Sequence, residues 1–477
     1  METPTLPPDL PDRGGVECAP PSVDRKPAWW AWPLILLVPV GLLVAERWLP
    51  AAEAEAGAQH DLSLLAILQF QAKIVIAMDG LPGGEARRQA NVLESHVRSD
   101  GTAAALAMLH GFLGLDDGGR EAATLLLAKR REARGADAAF LELAGRAILE
   151  GVDDRRREEL RSHVGWFADL LGEPGAPEKA PLAGEIRSDA SVLVFLLGLV
   201  AFLVFAALFA GAGLLLFAVI RSKQGRLALA FDASQRPAGV FLESFALFLA
   251  SMAAGNLAGW LVHWLAQPII SLSGVALAVI WPRLRGNGWR ESRLALGWHT
   301  GRGWWREIGA GMVGYLIVLP LALMGVAFTA MLIGVAEVLE RLSRGAEAAA
   351  NGAGAVAGAA SEPVTHPAVG WMLGGWDAKI AVFLLAAVLA PLVEETFFRG
   401  AFFRSLRRRW RFLGAGLLNG VIFASLHPQG WLAIPALTAM GLAFACLREW
   451  RDSLIAPMVA HAINNGLLIG GLALVLS

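Results

Sequence analysis

The chain has 477 residues, 55% of them hydrophobic and only 17% charged, with a mean hydropathy of +0.51. That balance is more apolar than soluble domains carry and argues against a single soluble fold. With 41 basic and 42 acidic side chains the formal net charge is −1, so no global field points to nucleic acid or another polyanion, and two cysteines, Cys18 and Cys446, supply neither a disulfide framework nor a cysteine metal site.

A helix needs about 20 mostly apolar residues to cross a bilayer. Nine runs fit: 29–48, 191–220, 239–264, 266–282, 309–335, 378–403, 412–428, 431–447 and 454–476. The expectation is an all-α fold, a multi-pass transmembrane helix bundle of about nine spans with an inserted soluble helical domain. Seventeen Trp stand against one Tyr. Many of them lie where apolar runs begin or end, as in interfacial aromatic belts.

The chain divides accordingly. Residues 1–28 read as a cytoplasmic tail and 29–48 as a first transmembrane anchor. Residues 49–190 read as an extracytoplasmic helical domain, 191–235 as a second span with its cytoplasmic loop, and 236–477 as the membrane core. The small residues from Ala51 to Ala58 resemble a cleavage site, but the 28 residues before the first run and the Trp at both its ends favour an uncleaved anchor. Arg25 and Lys26 put the N-terminus inside, in a plasma (inner) membrane. Counting spans from there, the loops with Arg221 to Arg236, Arg283 to Arg306, Arg404 to Arg411, and Arg448 with Arg451 are all cytoplasmic.

Within 49–190, apolar residues recur at helical spacing in about six segments, and His60, His110 and His163 are too far apart for a ligand pair on one helix. Gly255 and Gly259 form a GxxxG pair suited to close helix packing. The Ala- and Gly-rich stretch from Gly345 to Ala360 reads as a flexible outer loop.

Ionisable side chains in a hydrocarbon setting are costly and mark function. Three clusters stand out: Pro391-Leu-Val-Glu394-Glu395-Thr-Phe-Phe-Arg399, Phe423-Ala-Ser-Leu-His427, and His461-Ala-Ile-Asn464-Asn465. On a helix Glu395 and Arg399, four apart, face each other, whereas Glu394 points about 100° away. Glu394 is thus left without a cation on its own helix; a desolvated carboxylate in that position holds a proton more readily and suits a general base. His461 and Asn465 share one face and can offer donors to a single oxygen. Phe423, one turn before His427, can wall the site against lipid. Measured from the cytoplasmic ends, Glu394, His461 and His427 lie at depths of about 15, 10 and 22 Å, a mismatch for His427 that tilts or kinks at Pro391 and Pro428 must absorb.

Together Glu394-Glu-x-x-x-Arg399, Phe423-x-x-x-His427 and His461-x-x-x-Asn465 resemble the three motifs of the CPBP intramembrane proteases, the CAAX-protease and bacteriocin-processing (ABI) family. The resemblance covers roughly residues 240–476 and includes the lead-in from Leu296 to Gly309. It implies a peptidase acting on a membrane-embedded or lipid-anchored protein or peptide. In that reading Glu394 and His427 activate water, His461 and Asn465 stabilise the oxyanion, and Glu395, Arg399 and Phe423 support them. Glu394, His427 and His461 also make a plausible zinc set, though without HExxH spacing, so the cofactor is either none or zinc. Two other classes compete: a proton-coupled transporter, for which no internal repeat is found, and a catalytically inactive scaffold or immunity-type protein of the same fold.

Overall fold

The computed structural model describes residues 26–48, 53–79, 85–97, 99–114, 116–131, 133–176, 179–232, 238–263, 265–351, 372, 375–427 and 433–475. The N-terminal tail through Arg25, Pro428 and Trp431 lie outside them. Every regular element among the described residues is a helix, so the chain is a multi-pass helical membrane protein.

In chain order, α1 spans Ala31–Trp48, α2 Glu53–Met78, α3 Glu85–Val92, α4 Asp100–Phe112, α5 Asp116–Lys129, α6 Ala136–Glu150 and α7 Asp154–Val164. The segments α2 to α7 close on one apolar cluster that includes Leu68, Val75, Leu106, Leu109, Leu141, Leu160 and Phe167. Local chemistry sets their ends. Ser99 caps α4 in a reciprocal box with Thr102, and Asp153 accepts the Arg156 N–H at the start of α7. Arg157 is buried with its guanidinium donating to the carbonyls of Ala168 and Leu171, both at 2.9 Å, which satisfies backbone groups that the following turn leaves open.

α8, Ala183–Lys223, starts inside that cluster through Ile186 and Ala190 and continues unbroken for 41 residues. At 1.5 Å per residue it is about 61 Å long, twice the hydrocarbon thickness of a bilayer. The remaining helices are α9 (Gly239–Leu261), α10 (Ala266–Leu284), α11 (Trp289–Leu296), α12 (Trp304–Asn351), α13 (Trp376–Arg407), α14 (Phe412–Ser425), α15 (Ile434–Arg451) and α16 (Ile455–Val475).

A helix occupies each of the nine expected spans, and six are long and apolar enough to cross a membrane: those in α8, α9, α10, α12, α13 and α16. The other three fall short for physical reasons. The apolar part of α1 ends at Leu42 and α14 has 14 residues, while α15 carries Arg448, Glu449 and Arg451 in its last turn. The expected loop at Gly345 begins as helix instead, since α12 runs through Asn351; alanines favour the helix more than any other residue. The rest of that stretch, 352–360, lies outside the described residues.

With lipid as solvent, helices associate through close packing rather than the hydrophobic effect. A Cβ at Gly259 would sit 2.9 Å from Gln267 Cβ, so the glycine face of α9 lets α10 in close, and Gln267 Nε2 bonds Asn256 Oδ1 at 2.8 Å across the seam. α9 then meets α13 through stacked phenylalanines, Phe245 on Phe402 (centroids 4.3 Å apart) and Phe248 on Phe397 (4.4 Å). α1 belongs to the same core. Ala31 and Ile35 are fully buried in it, and the Ala28 N–H donates to buried Glu243 at 2.8 Å.

Candidate active site

α13 is one apolar helix with an irregular middle. π-helical turns at Leu385–Leu389 and Thr396–Phe402 flank a short α-helical stretch, Ala390–Glu395. Such turns are often found at functional positions. The first turn has a definite consequence. The Ala390 N–H bonds the Leu385 carbonyl, so in that register the next donor, due at the Ala386 carbonyl, is residue 391. It is proline and has no N–H. Asn465 of α16 fills the gap, its Nδ2 donating to Ala386 O at 2.9 Å. Asn464 in turn donates to Asn465 Oδ1 at 3.1 Å, which fixes the carboxamide.

Glu395 is fully buried and faces Arg399, as the i, i+4 spacing requires, with Nη1 2.9 Å from Oε1. The guanidinium, itself fully buried, also donates to the Gly441 carbonyl at 3.2 Å and lies over the rings of Phe423 (4.6 Å) and Phe444 (5.2 Å). A cation this deep is tolerable only with a carboxylate, a carbonyl and aromatic faces around it. Gly441 makes the approach possible, since a Cβ there would lie 2.7 Å from Gly420 Cα, where α14 and α15 touch.

The contact that spacing alone did not reveal joins α13 to α16. His461 Nδ1 is 2.9 Å from the same Glu395 Oε1, while its Nε2 lies 3.9 Å from Glu394 Oε2. Its ring stacks on Phe444 at 5.0 Å and meets Phe423 edge-on at 5.9 Å. Glu394 is the more open of the two glutamates, its side chain 26% exposed against 0% for Glu395. One imidazole therefore hydrogen-bonds a buried, ion-paired carboxylate and lies beside a second, whose Oε2 is buried without a hydrogen-bond partner although the side chain is partly exposed.

His427 stands in the turn after α14. Its Nδ1 is 2.7 Å from the Phe423 carbonyl, and its ring packs on Phe423 at 4.4 Å. Phe423 is thus the common wall of both histidines. Oxyanion donation by His461 and Asn465 to one shared oxygen is not the arrangement seen. His461 Nδ1 is committed to Glu395 and one Asn465 N–H to Ala386, leaving His461 Nε2 and the second amide proton.

Zinc needs at least three donors converging at about 2 Å from one point. Among the described residues no three His, Cys, Asp or Glu side chains form such a group. His427 and His461 each engage only Nδ1 with a protein acceptor, which leaves each Nε2 as the nitrogen a metal would use, but these atoms and the Glu394 carboxylate do not converge on one point.

Three further residues hold the site and were not singled out as candidates in the sequence, although Trp298 lies in the Leu296–Gly309 lead-in. Asn419, one turn before Phe423 and fully buried, donates to the Phe398 carbonyl at 2.8 Å, inside the second π-helical turn. Trp298 Nε1 bonds Thr396 Oγ1 at 3.0 Å, anchoring the segment ahead of α12 beside Glu395. Arg448, fully buried, reaches the carbonyls of Ala295 (3.2 Å) and Leu296 (3.3 Å) and the Arg399 carbonyl (3.4 Å).

A family model described as type II CAAX prenyl endopeptidase Rce1-like matches residues 376–467. The chain is 30% identical over 88 residues to YdiL of Bacillus subtilis (strain 168), whose name describes a membrane peptidase, covering 18% of this chain and 36% of that one. It is 30% identical over 98 residues to the membrane-embedded CAAX protease MroQ of Staphylococcus aureus (strain USA300), covering 19% and 39%. An uncharacterized 24.3 kDa protein of Escherichia coli is 33% identical over 97 residues, covering 19% and 45%. The chain spans less than half the length of each of these curated relatives, and no solved structure matches it. The three ordered motifs, Glu394 to Arg399, Phe423 to His427 and His461 to Asn465, all fall inside the matched stretch, and it is over residues 376–467 that the chain matches the Rce1-like type II CAAX prenyl endopeptidase family.

Proposed function

We propose that the chain is an intramembrane endopeptidase that hydrolyses a peptide bond of a membrane-embedded or lipid-anchored protein or peptide. The observation that carries this is His461 held between Glu395 and the more accessible Glu394, with His427 against the same Phe423 wall. Amide hydrolysis needs a base beside the attacking water and preorganised donors at the developing negative charge. In this reading Glu394, with His427 oriented by the Phe423 carbonyl, takes a proton from water as its oxygen bonds to the scissile carbonyl carbon. The second Asn465 N–H faces the resulting oxyanion, while His461, its Nδ1–H held by Glu395, presents Nε2 to the reacting groups as a proton acceptor. The proton then passes to the amide nitrogen as the C–N bond breaks. Glu395 and Arg399 position His461 without touching substrate. The relative named as a CAAX protease supports a substrate with a lipidated tail.

In the same reading the chain sits in the plasma (inner) membrane with its N-terminus cytoplasmic, and residues 49–190 form an extracytoplasmic domain. The test is cleavage, followed by mass spectrometry, of a farnesylated CAAX peptide and of a set of membrane-inserted leader peptides by full-length protein in lipid nanodiscs. Wild-type protein releases a defined fragment. Glu394→Ala and His427→Ala, purified as folded protein, release none; cleavage at the wild-type rate by either would end the assignment.

A further inference from the structure

Glu394 and Glu395 stand where α13 changes register. In a regular α-helix the Thr396 N–H would bond the Leu392 carbonyl, four residues back. It reaches Val393 O instead, and by the end of the second π-helical turn the Phe403 N–H bonds Phe398 O. The Thr396 hydroxyl takes the Leu392 carbonyl at 2.7 Å, so a single side-chain bond closes the turn that contains both glutamates. A hydroxyl that donates once can still accept. Thr396, 2% exposed, accepts from outside its helix: the donor is the indole N–H of Trp298, at 3.0 Å.

Trp298 is itself fixed on two sides. α11 ends at Gly297, whose φ of +95° favours glycine, and the Arg448 guanidinium carbon lies 2.8 Å from where a Cβ would stand. The Gly297 carbonyl accepts the Leu454 N–H at 3.0 Å, directly ahead of α16. Toward α13, the Leu296 carbonyl lies 2.9 Å from the place of a Cβ on Gly400, and Leu454 Cδ1 lies 3.3 Å from the same point. Residues 296–298 thus touch the irregular part of α13 and the entry to α16 at once. Those are the two helices whose register brings Glu395 to His461.

We propose that Trp298 is a positioning residue for the peptidase site: through the Thr396 hydroxyl it holds the turn of Glu394 and Glu395 in register with His461. Its effect on turnover rests on the peptidase reading above; its effect on the Glu395–His461 bond rests on geometry alone. Without the indole donor, that turn loses its tie to the segment that also grips α16. Without the hydroxyl, the Leu392 carbonyl competes for the Thr396 N–H, which winds the turn toward the α register and moves both carboxylates.

The test is solid-state NMR of full-length protein in lipid nanodiscs, labelled at histidine nitrogen, following the His461 Nδ1–H resonance, which is assigned by its absence in His461→Gln. A proton held by a carboxylate lies downfield in wild type, and Glu395→Gln gives the reference for a weakened bond. Trp298→Phe, which keeps an aromatic ring, and Thr396→Val, which keeps the shape, should both move the resonance toward that reference. Thr396→Ser should return it to the wild-type position. In the cleavage assay Trp298→Phe and Thr396→Val should lower kcat by about 10- to 100-fold with KM within about twofold, the loss expected when reacting groups are misplaced by an ångström. The double variant should be no slower than Thr396→Val alone, because both side chains act in one chain of bonds. A resonance unmoved in both single variants overturns the proposal whether or not any peptide is cleaved. A moved resonance in a protein that cleaves no peptide upholds the positioning and removes the peptidase reading. Losses that multiply in the double variant, or Thr396→Ser as impaired as Thr396→Val, also overturn the proposal.

Discussion

His461 and Glu395 lie 2.9 Å apart although 66 residues separate them, and the same carboxylate oxygen takes Arg399 at 2.9 Å. One buried anion thereby neutralises a cation on its own helix and fixes the ring of a histidine on another. With Nδ1–H donated to Glu395, the histidine turns Nε2 toward Glu394. Glu395→Gln keeps the shape but leaves Arg399 buried without a counter-charge, a loss of about 3–5 kcal/mol for a broken buried pair. A lower unfolding temperature and reduced turnover are expected together. Glu394→Gln, at the more open position, should lower kcat by about 10²–10⁴ while the unfolding temperature stays near wild type. Equal thermal losses in the two variants would contradict this division of roles.

The donor geometry also predicts how chelators behave. No three His, Cys, Asp or Glu donors converge among the described residues, and the proposed reaction uses Glu394 and His427 directly on water. Peptide cleavage should therefore persist after incubation with EDTA or 1,10-phenanthroline, and elemental analysis of active protein should find zinc well below one equivalent. Cleavage lost on chelation and restored by zinc alone would show that the donors rearrange around a metal.

How much of this was legible in the sequence depends on whether a relationship is set within a helix or between helices. The Glu395–Arg399 pair follows from helical geometry, and the structure holds it at 2.9 Å. The Glu395–His461 bond depends on the register of α13 against α16, which no spacing encodes. Depth counted along straight spans put His427 well above His461, yet both rings rest on Phe423. α14 ends at Ser425, and the turn after it bends the His427 ring back to the Phe423 carbonyl, so a straight count does not apply. Likewise Asn465 read as an oxyanion donor because its link to Ala386 depends on a π-helical turn meeting Pro391.

That link predicts a rescue. Asn465→Leu strands the Ala386 carbonyl, and a buried acceptor left without a partner costs about 1–3 kcal/mol. Pro391→Ala restores an N–H at the position due to bond that carbonyl. The double variant should recover most of the unfolding temperature lost by Asn465→Leu. If the second Asn465 N–H serves the oxyanion, cleavage stays low in the rescued protein. Recovery of both stability and turnover would reduce Asn465 to a structural brace.

Among α2 to α7, none of which is a candidate membrane span, His110 gives a pH prediction with a definite sign. It is 5% exposed within the α2 to α7 cluster, and burial pushes its pKa below the ordinary 6.5, only partly offset by a hydrogen bond to the Ala90 backbone and the charge of Glu94. As pH falls, the unfolded chain therefore takes up the proton before the folded one does. Stability is complete above about pH 6.5 and is lost as pH drops through the depressed folded value. In full-length protein, the hydrogen-exchange protection of α4 amides, corrected for the intrinsic pH dependence of exchange, should fall between about pH 7 and pH 5. His110→Leu removes the titrating group and should flatten that dependence. An undiminished slope in the variant would assign the effect to other groups in the cluster.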